Sequence, residues 1–546
     1  MATSSEKAPP QEVTGAFVRN ATGLVRGVSP RSAFVLQFLG SHPAYPLAYG
    51  LFFAFALFPG GNFVVAGLLT IPLTVAFAYS FGLLTSMLPR TGGDYLLVTR
   101  IISPTIGMIS SFCFNVAQLM SLAFFGSAVV TLGVAPGLIE IGLVSHSAGL
   151  VSAGATVAAS KYWEFLIGSV LFALGALILT GGWKWTIRAQ NAILVLLSIG
   201  FAICVIGALF TSHGSFVNDF NSFAHSHTGL PNSYQATIDA AQKSGVNTSP
   251  GFSFENTIPL IGVFASFAIY SWFASYAGGE LRRGRATKQA HMMAASGVTA
   301  LVLVVIFAVV FIHTFGNSFL IAANSASGLP KGISATPTYI FLMSSVFGST
   351  PLTVVVVLTF LLYFLAPVYA IDMTVTRTIF AFSFDGLLPK KLSEVEERTK
   401  TPWWAIGITF VLTELVFLWS LQIGNFFQVL VYATLIQLVS MGLVGLCAVI
   451  VPWRKPELFR AGATQRRLFG VPVITIAGVG AILAAILVYC LFFVWSAQFG
   501  LENKLNFLYY LVGTIAAGVV FYNAARLIQR RRGHRVELAF AEIPPE

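Results

Sequence analysis

The sequence predicts an all-α polytopic membrane protein. Three observations carry that prediction. About a dozen apolar stretches between Ser32 and Ile528 each supply the roughly 20 residues that a helix needs to cross a bilayer. Charged residues make up only 9% of the 546-residue chain and hydrophobic ones 56%, against roughly 25% charged in soluble domains. Basic residues also crowd alternate connections between the stretches.

A soluble chain of this length would divide into several domains; here one helical bundle absorbs nearly everything. The net charge of +11 does not point to nucleic acid, because the basic residues lie in short loops beside spans, where they set orientation. Cys113, Cys204, Cys447 and Cys490 all fall inside predicted spans, which argues against a disulfide framework or a metal cluster. Residues 1–27 are polar and carry no signal-peptide pattern.

The apolar runs place twelve spans at about 33–58, 63–88, 104–132, 162–180, 191–210, 255–276, 289–315, 348–376, 403–421, 425–452, 472–496 and 505–528. With an even number of spans, 27 of the 31 Lys and Arg residues fall on the side of the N-terminus. The other side holds only Lys161, Lys243, Lys331 and Lys504. The positive-inside rule therefore puts both termini in the cytoplasm.

Span 1 contains Gly40-Ser41-His42-Pro43, followed by Pro46 and Gly50. Gly and Pro lower helix propensity, and Pro43 cannot donate to the preceding turn. Non-helical backbone at membrane depth needs burial or a cavity to line, so this is either a break facing a polar site or a simple proline kink. The break is the favoured reading. His42 there either titrates near physiological pH or simply faces water.

After span 2, Pro89-Arg90-Thr91-Gly92-Gly93-Asp94-Tyr95 reads as a tight turn. Asp94 is expected to cap a helix start or to pair with a nearby Arg. In span 3, Asn115 and Gln118 share a helix face and either line a pocket or act as polar glue between helices. The connection at about 211–253, rich in Ser, Asn and His, is expected to be a mobile hydrophilic loop. His213, His225 and His227 lack Cys or carboxylates at ligand spacing, so no metal site is expected there.

Span 6 alternates small and hydroxyl residues with aromatics from Phe267 to Tyr276 before Gly278-Gly279-Glu280. A loosening at Ala268–Trp272 would make it the counterpart of span 1. Two interrupted helices in corresponding positions of two halves point to a transporter binding site. If spans 1–5 and 6–10 are repeats, five crossings require the second copy to be inverted. Span 8 carries Asp372, with Thr376 four residues on and on the same face. A carboxylate at membrane depth marks an ion or proton path or forms a structural pair with an Arg or the backbone. Glu414 in span 9 is expected to make a structural hydrogen bond, and His313 to be interfacial.

Three passages resemble the amino acid–polyamine–organocation (APC) permeases. Pro89–Tyr95 is similar to the family's loop after span 2. Arg377, with Phe380 through Asp385-Gly386-Leu387-Leu388-Pro389, is similar to the segment after span 8, and Asp385-Gly386 with Pro389 is expected to end the helical run there. Gly279-Glu280-Leu281-Arg282-Arg283 is similar to the exit from span 6. The resemblance implies a LeuT-type fold: ten core helices as two inverted five-helix repeats, plus two peripheral helices. It divides the chain into a cytoplasmic segment 1–27, a core 28–452 (repeats about 28–210 and 255–452), peripheral helices 472–528 and a tail 529–546.

The resemblance also implies alternating-access transport of an amino acid or amine, with that solute and the lipid bilayer as partners, in the plasma membrane. Gly40, Ser41, His42, Ala268, Tyr270, Ser271, Trp272 and Asn115 would form the substrate site. The substrate carboxylate would meet backbone amides near Gly40-Ser41-His42, with Tyr270 or Trp272 flanking it. Asp372 and Thr376 would serve coupling to H+ or Na+; no other cofactor is expected. Span 1 departs from the family's usual Gly-rich pattern, and span 5 lacks a lysine that some proton-coupled relatives carry. A membrane-embedded enzyme would need a catalytic constellation, and none is present at suitable spacing. A channel would repeat a pore element; an uncoupled exchanger of the same fold differs only in the role of Asp372.

Overall fold

The computed structural model describes residues 22–41, 51–282, 286–423, 426–462, 465–501, 503–534 and 536–542. Among them, eleven helices are long and apolar enough to cross a membrane. The chain opens with α1 (Pro30–Gly40) and α2 (Leu51–Leu57), the described parts of the first predicted span. His42, Pro43, Pro46 and Gly50 lie outside the described residues. Next come α3 (Phe63–Met87) and the short α4 (Gly93–Ile101).

Then α5 (Pro104–Ala128) runs through a π-helical turn at Val129–Val134 into α6 (Ala135–Val144), giving one 41-residue rod. The third span is therefore longer than the expected 104–132, because the π turn lets the helix carry Gly133 and Pro136 without stopping. The first half closes with α7 (Ala148–Ala159), α8 (Lys161–Thr180) and α9 (Gly182–Phe210).

The expected mobile loop at 211–253 is instead two helices, α10 (His213–Thr228) and α11 (Ser233–Lys243). Phe216, Phe220 and Ala224 recur every four residues, bury one face of α10, and pack Phe216 on Phe315 with ring centroids 4.7 Å apart. That is an amphipathic helix hidden inside a polar segment. The Tyr234 hydroxyl donates to the Phe315 carbonyl (3.1 Å), tying α11 to the bundle.

The second half contains α12 (Phe254–Ala268), α13 (Phe273–Tyr276), α14 (Ala286–Phe315), α15 (Asn317–Ala323) and α16 (Tyr339–Phe347). It continues with α17 (Thr350–Phe384), α18 (Trp403–Ser420) and α19 (Phe426–Arg454). After α20 (Pro456–Ala461), a two-stranded hairpin pairs β1 (Arg467–Leu468) with β2 (Val471–Pro472). Two peripheral spans, α21 (Val473–Val494) and α22 (Lys504–Arg531), precede α23 (Val536–Ala541).

Helix starts follow local chemistry. Ser29, Asn62, Ser103, Ser147, Ser160, Ser212, Ser253 and Thr338 each accept a first-turn backbone N–H, satisfying a donor that the helix itself cannot. At the far end of α17 the expected stop is a Schellman turn. Gly386 (φ +80°) donates to Ser383, and Leu387 donates to the Phe382 carbonyl (2.8 Å).

In the bundle, α3 lies along α14, α5 along α17 and α8 along α18. Each pair joins helices five spans apart in the chain. Small residues allow these approaches: a Cβ on Gly82 would stand 2.5 Å from the Ala290 Cα. Lipid tails offer no hydrophobic drive between helices, so close backbone packing of this kind supplies the attraction.

Candidate functional site

The sixth span is interrupted. α12 stops at Ala268, α13 starts at Phe273, and Ile269–Trp272 between them is non-helical. The expected loosening at Ala268–Trp272 is therefore present. In the first span, α1 ends at Gly40 and Ser41 forms its cap.

The two ends meet through a residue that the sequence reading passed over. Gln37 is fully buried on α1. Its Nε2 donates to the Tyr270 carbonyl (2.7 Å) and its Oε1 accepts from the Ala274 N–H (3.2 Å). One carboxamide thus bridges the gap between α12 and α13, replacing backbone bonds that the break forfeits. The Ser41 hydroxyl donates to the Gln37 carbonyl (2.9 Å) and stands 3.4 Å from the Tyr270 carbonyl. A Cβ on Gly40 would lie 2.8 Å from the Phe273 ring, so only glycine permits this contact. The available signal was a lone carboxamide in an apolar run, three residues before Gly40.

Other expected site residues are placed differently. The Ser41 N–H donates to the Gln37 carbonyl (2.9 Å). Gly40–Ser41 is thus the C-terminal end of a half-helix, where carbonyls outnumber free amides, and the expectation of a Ser41 amide offered to a carboxylate is corrected. The Ser271 hydroxyl donates to the Ala268 carbonyl (3.2 Å) and packs on α14, where a Cβ on Gly297 would meet it at 2.1 Å. Ser271 therefore belongs to helix packing.

Trp272 is fully buried, stacked on Phe273 (4.4 Å) and edge-on to Phe114 (4.7 Å). It is an aromatic plug beside the break. Asn115 donates back to the Ser111 carbonyl of its own helix (2.7 Å), with its Oδ1 buried and without a hydrogen-bond partner. Gln118 donates to Thr374 of α17 (3.3 Å), the glue reading. His42 lies outside the described residues.

Asp372 is 4% exposed, and its Oδ1 has no hydrogen-bond partner. Its other oxygen faces α8, where a Cβ on Gly175 would come within 3.0 Å. Thr376 shares a 3.1 Å hydrogen bond with Thr409 of α18. One oxygen of Asp372 thus lies against α8, and Thr376 bonds to α18. Glu414 makes the expected structural bond, accepting from Ser169 (2.8 Å).

A cavity of about 600 Å³ opens at the end of the bundle away from the N-terminus. Phe53, Ser266, Asn324, Phe427 and Thr434 are among its walls. The Tyr270 hydroxyl donates to Thr434 (3.1 Å), so the broken segment reaches that cavity's lining.

The N-terminal end of the bundle is closed by three layers. Val28 N–H donates to the Glu280 carbonyl (3.1 Å), and Gly92 N–H to the Tyr276 carbonyl (3.2 Å). The buried Glu280 carboxylate accepts from Arg377 through Nε (2.7 Å) and Nη2 (3.0 Å), and from the Trp183 indole (2.5 Å). Glu280 and Arg377 stand in two separate motifs of the chain, and their bidentate pairing emerges only in the fold.

The other two layers radiate from α4. Asp385 accepts from Arg100 (2.9 Å) and from the Tyr95 hydroxyl (2.5 Å). Burial pushes the Asp385 carboxyl above its ordinary range while Arg100 pulls it down. Arg100 also donates to the Ala539 carbonyl (3.2 Å) and stands over the Phe540 ring, docking α23. Asp94 neither caps α4, whose cap is Gly92, nor pairs with an Arg. It takes three hydroxyls, from Tyr276, Ser110 and Ser440. A Cβ on Gly93 (φ +52°) would strike the Tyr276 ring at 2.4 Å, which explains the second glycine of the turn.

The broken sixth span and the end of α1 thus meet at mid-bundle, with a cavity toward one face and hydrogen-bonded layers toward the other. No curated protein matches the chain. A family model described as amino acid permease matches residues 29–517, nearly the whole bundle. The chain belongs to that amino acid permease family, within the APC superfamily.

Proposed function

We propose that the protein is a secondary active transporter that moves amino acids or related amines by alternating access, coupled to H+ or Na+. The observation that carries this reading is the Gln37-bridged break of the sixth span, lying between an outer cavity and a sealed inner face. Alternating access needs one face open and the other closed around a fixed site, built where half-helix ends expose backbone polar groups. The C-terminal ends of α1 and α12 carry negative dipole ends suited to a substrate ammonium. The surroundings of the break are apolar and aromatic, which favours neutral side chains over strongly cationic ones. The order of elements is consistent with two inverted five-helix repeats, about 28–210 and 255–452; in this reading the Lys- and Arg-rich side, with both termini, faces the cytoplasm, and the membrane is the plasma membrane.

Asp372 is the coupling residue in this reading. A buried carboxylate oxygen lacking any hydrogen-bond partner is costly unless it meets a proton or a cation. Coupling further requires that ion to favour one conformation over the other. Uptake of radiolabelled amino acids by proteoliposomes, with proton and sodium gradients imposed separately, tests the proposal. Asp372→Asn is expected to stay folded and to keep exchange while losing concentrative uptake. Equal accumulation by both forms removes Asp372 from coupling, and no gradient-driven uptake by the wild type leaves the exchanger reading.

A further inference from the structure

We propose that Asp94 is a proton-binding site whose ionised form clamps the inner gate shut, resting on the transport reading above. The site sits on α4, in the turn beyond α3, and is completely buried. Its two oxygens gather hydroxyls from three helices. Oδ1 accepts from Tyr276 of α13 (2.6 Å), and Oδ2 accepts from Ser110 of α5 (2.6 Å) and Ser440 of α19 (2.9 Å).

Every donor in this set is neutral, so among the described residues the carboxylate has no paired cation. The titratable and charged groups packed around it are few. Tyr276 faces it from α13, Cys113 from α5 and Cys447 from α19. Arg100 on its own helix is committed to Asp385 of α17. Burial pushes the Asp94 carboxyl above the ordinary carboxylate range, and the hydroxyl donors hold it down.

The geometry fixes what a proton would do. Tyr276 is the last residue of α13, the half-helix below the break, and its carbonyl also receives the Gly92 N–H. While Asp94 is ionised, three charge-assisted bonds tie α4 to α13, α5 and α19. Such bonds are about twice as strong as neutral ones. A proton on Oδ1 points at the Tyr276 hydroxyl, replaces an acceptor with a donor and neutralises all three bonds. One of the three closing layers is thereby weakened while the Glu280–Arg377 and Arg100–Asp385 pairs remain, and the α13 end swings open more readily. Proton binding thereby favours one conformation, the condition for any ion to do work on a transport cycle.

The test needs no knowledge of the substrate. Ala277 is fully buried behind the clamp, and Cys490 is the one exposed cysteine among the described residues. An Ala277→Cys reporter in a Cys490→Ser background, compared with the background alone, is labelled by a membrane-impermeant maleimide from the N-terminal side, across pH about 8 to 5. Rates are corrected for the thiolate fraction with a soluble thiol. We expect labelling to rise at least about threefold as pH falls, and Asp94→Asn to label fast and independently of pH. Ser440→Ala removes one donor to the charged form and is expected to move the midpoint to higher pH; it keeps the test decisive if Asp94→Asn does not fold. Labelling that is flat with pH in the parent, or an unshifted midpoint in Ser440→Ala, overturns the proposal. Absence of uptake in proteoliposomes with this pH response intact would overturn the transport reading alone.

Discussion

Replacing Gln37 by leucine tests the broken-helix geometry most directly. The substitution keeps the volume and removes both polar contacts. The Tyr270 carbonyl then loses its 2.7 Å donor, with the Ser41 hydroxyl still at 3.4 Å, and the Ala274 N–H loses its 3.2 Å acceptor. The buried Ala274 N–H left unsatisfied costs about 1–3 kcal/mol in the conformation described. At 1.4 kcal/mol per tenfold, even the lower bound weakens substrate affinity by roughly fivefold if the break is the binding site. Gln37→Glu keeps the acceptor for Ala274 and loses only the donor to Tyr270, so it should fall between wild type and leucine. The assay is the KM for uptake into proteoliposomes, measured beside thermal unfolding in detergent. A Gln37→Leu protein with KM within about twofold of wild type and an unchanged unfolding midpoint would refute the reasoning.

Two further substitutions follow from the packing. Gly40→Leu drives a Cβ to within 2.8 Å of Phe273, itself held against Trp272; overpacking of this kind costs about 1–3 kcal/mol. Substrate binding should be lost while the protein stays folded, and unchanged binding counts strongly against the site. Arg100→Met strips the buried Asp385 of its cation, which costs about 3–5 kcal/mol for a broken buried pair. The unfolding temperature should drop and amide exchange in Val536–Ala541 should rise, since Arg100 also holds the Ala539 carbonyl. An unaltered exchange pattern would show that α23 docks by its apolar contacts alone.

The sequence by itself determined the solvent, the class of fold and most of the spans, because a helix in lipid must be long and apolar whatever it packs against. It also located the break of the sixth span at Ala268–Trp272 and the helix stop at Asp385-Gly386, where local backbone chemistry decides. It missed the length of the third span, the helices α10 and α11, and the residues that matter most at the break and the gate. Gln37 reaches Tyr270 across 233 residues of chain, and Tyr276 reaches Asp94 across 182. One Asp372 oxygen lies against Gly175 of α8, a contact that the pattern of spans does not specify. Hydropathy tells which residues enter the membrane and with what period. Only the packing of helix faces decides which buried polar group finds which partner, because a lone Gln or Asp in an apolar run satisfies its hydrogen bonds wherever tertiary contact brings a donor or acceptor within about 3 Å.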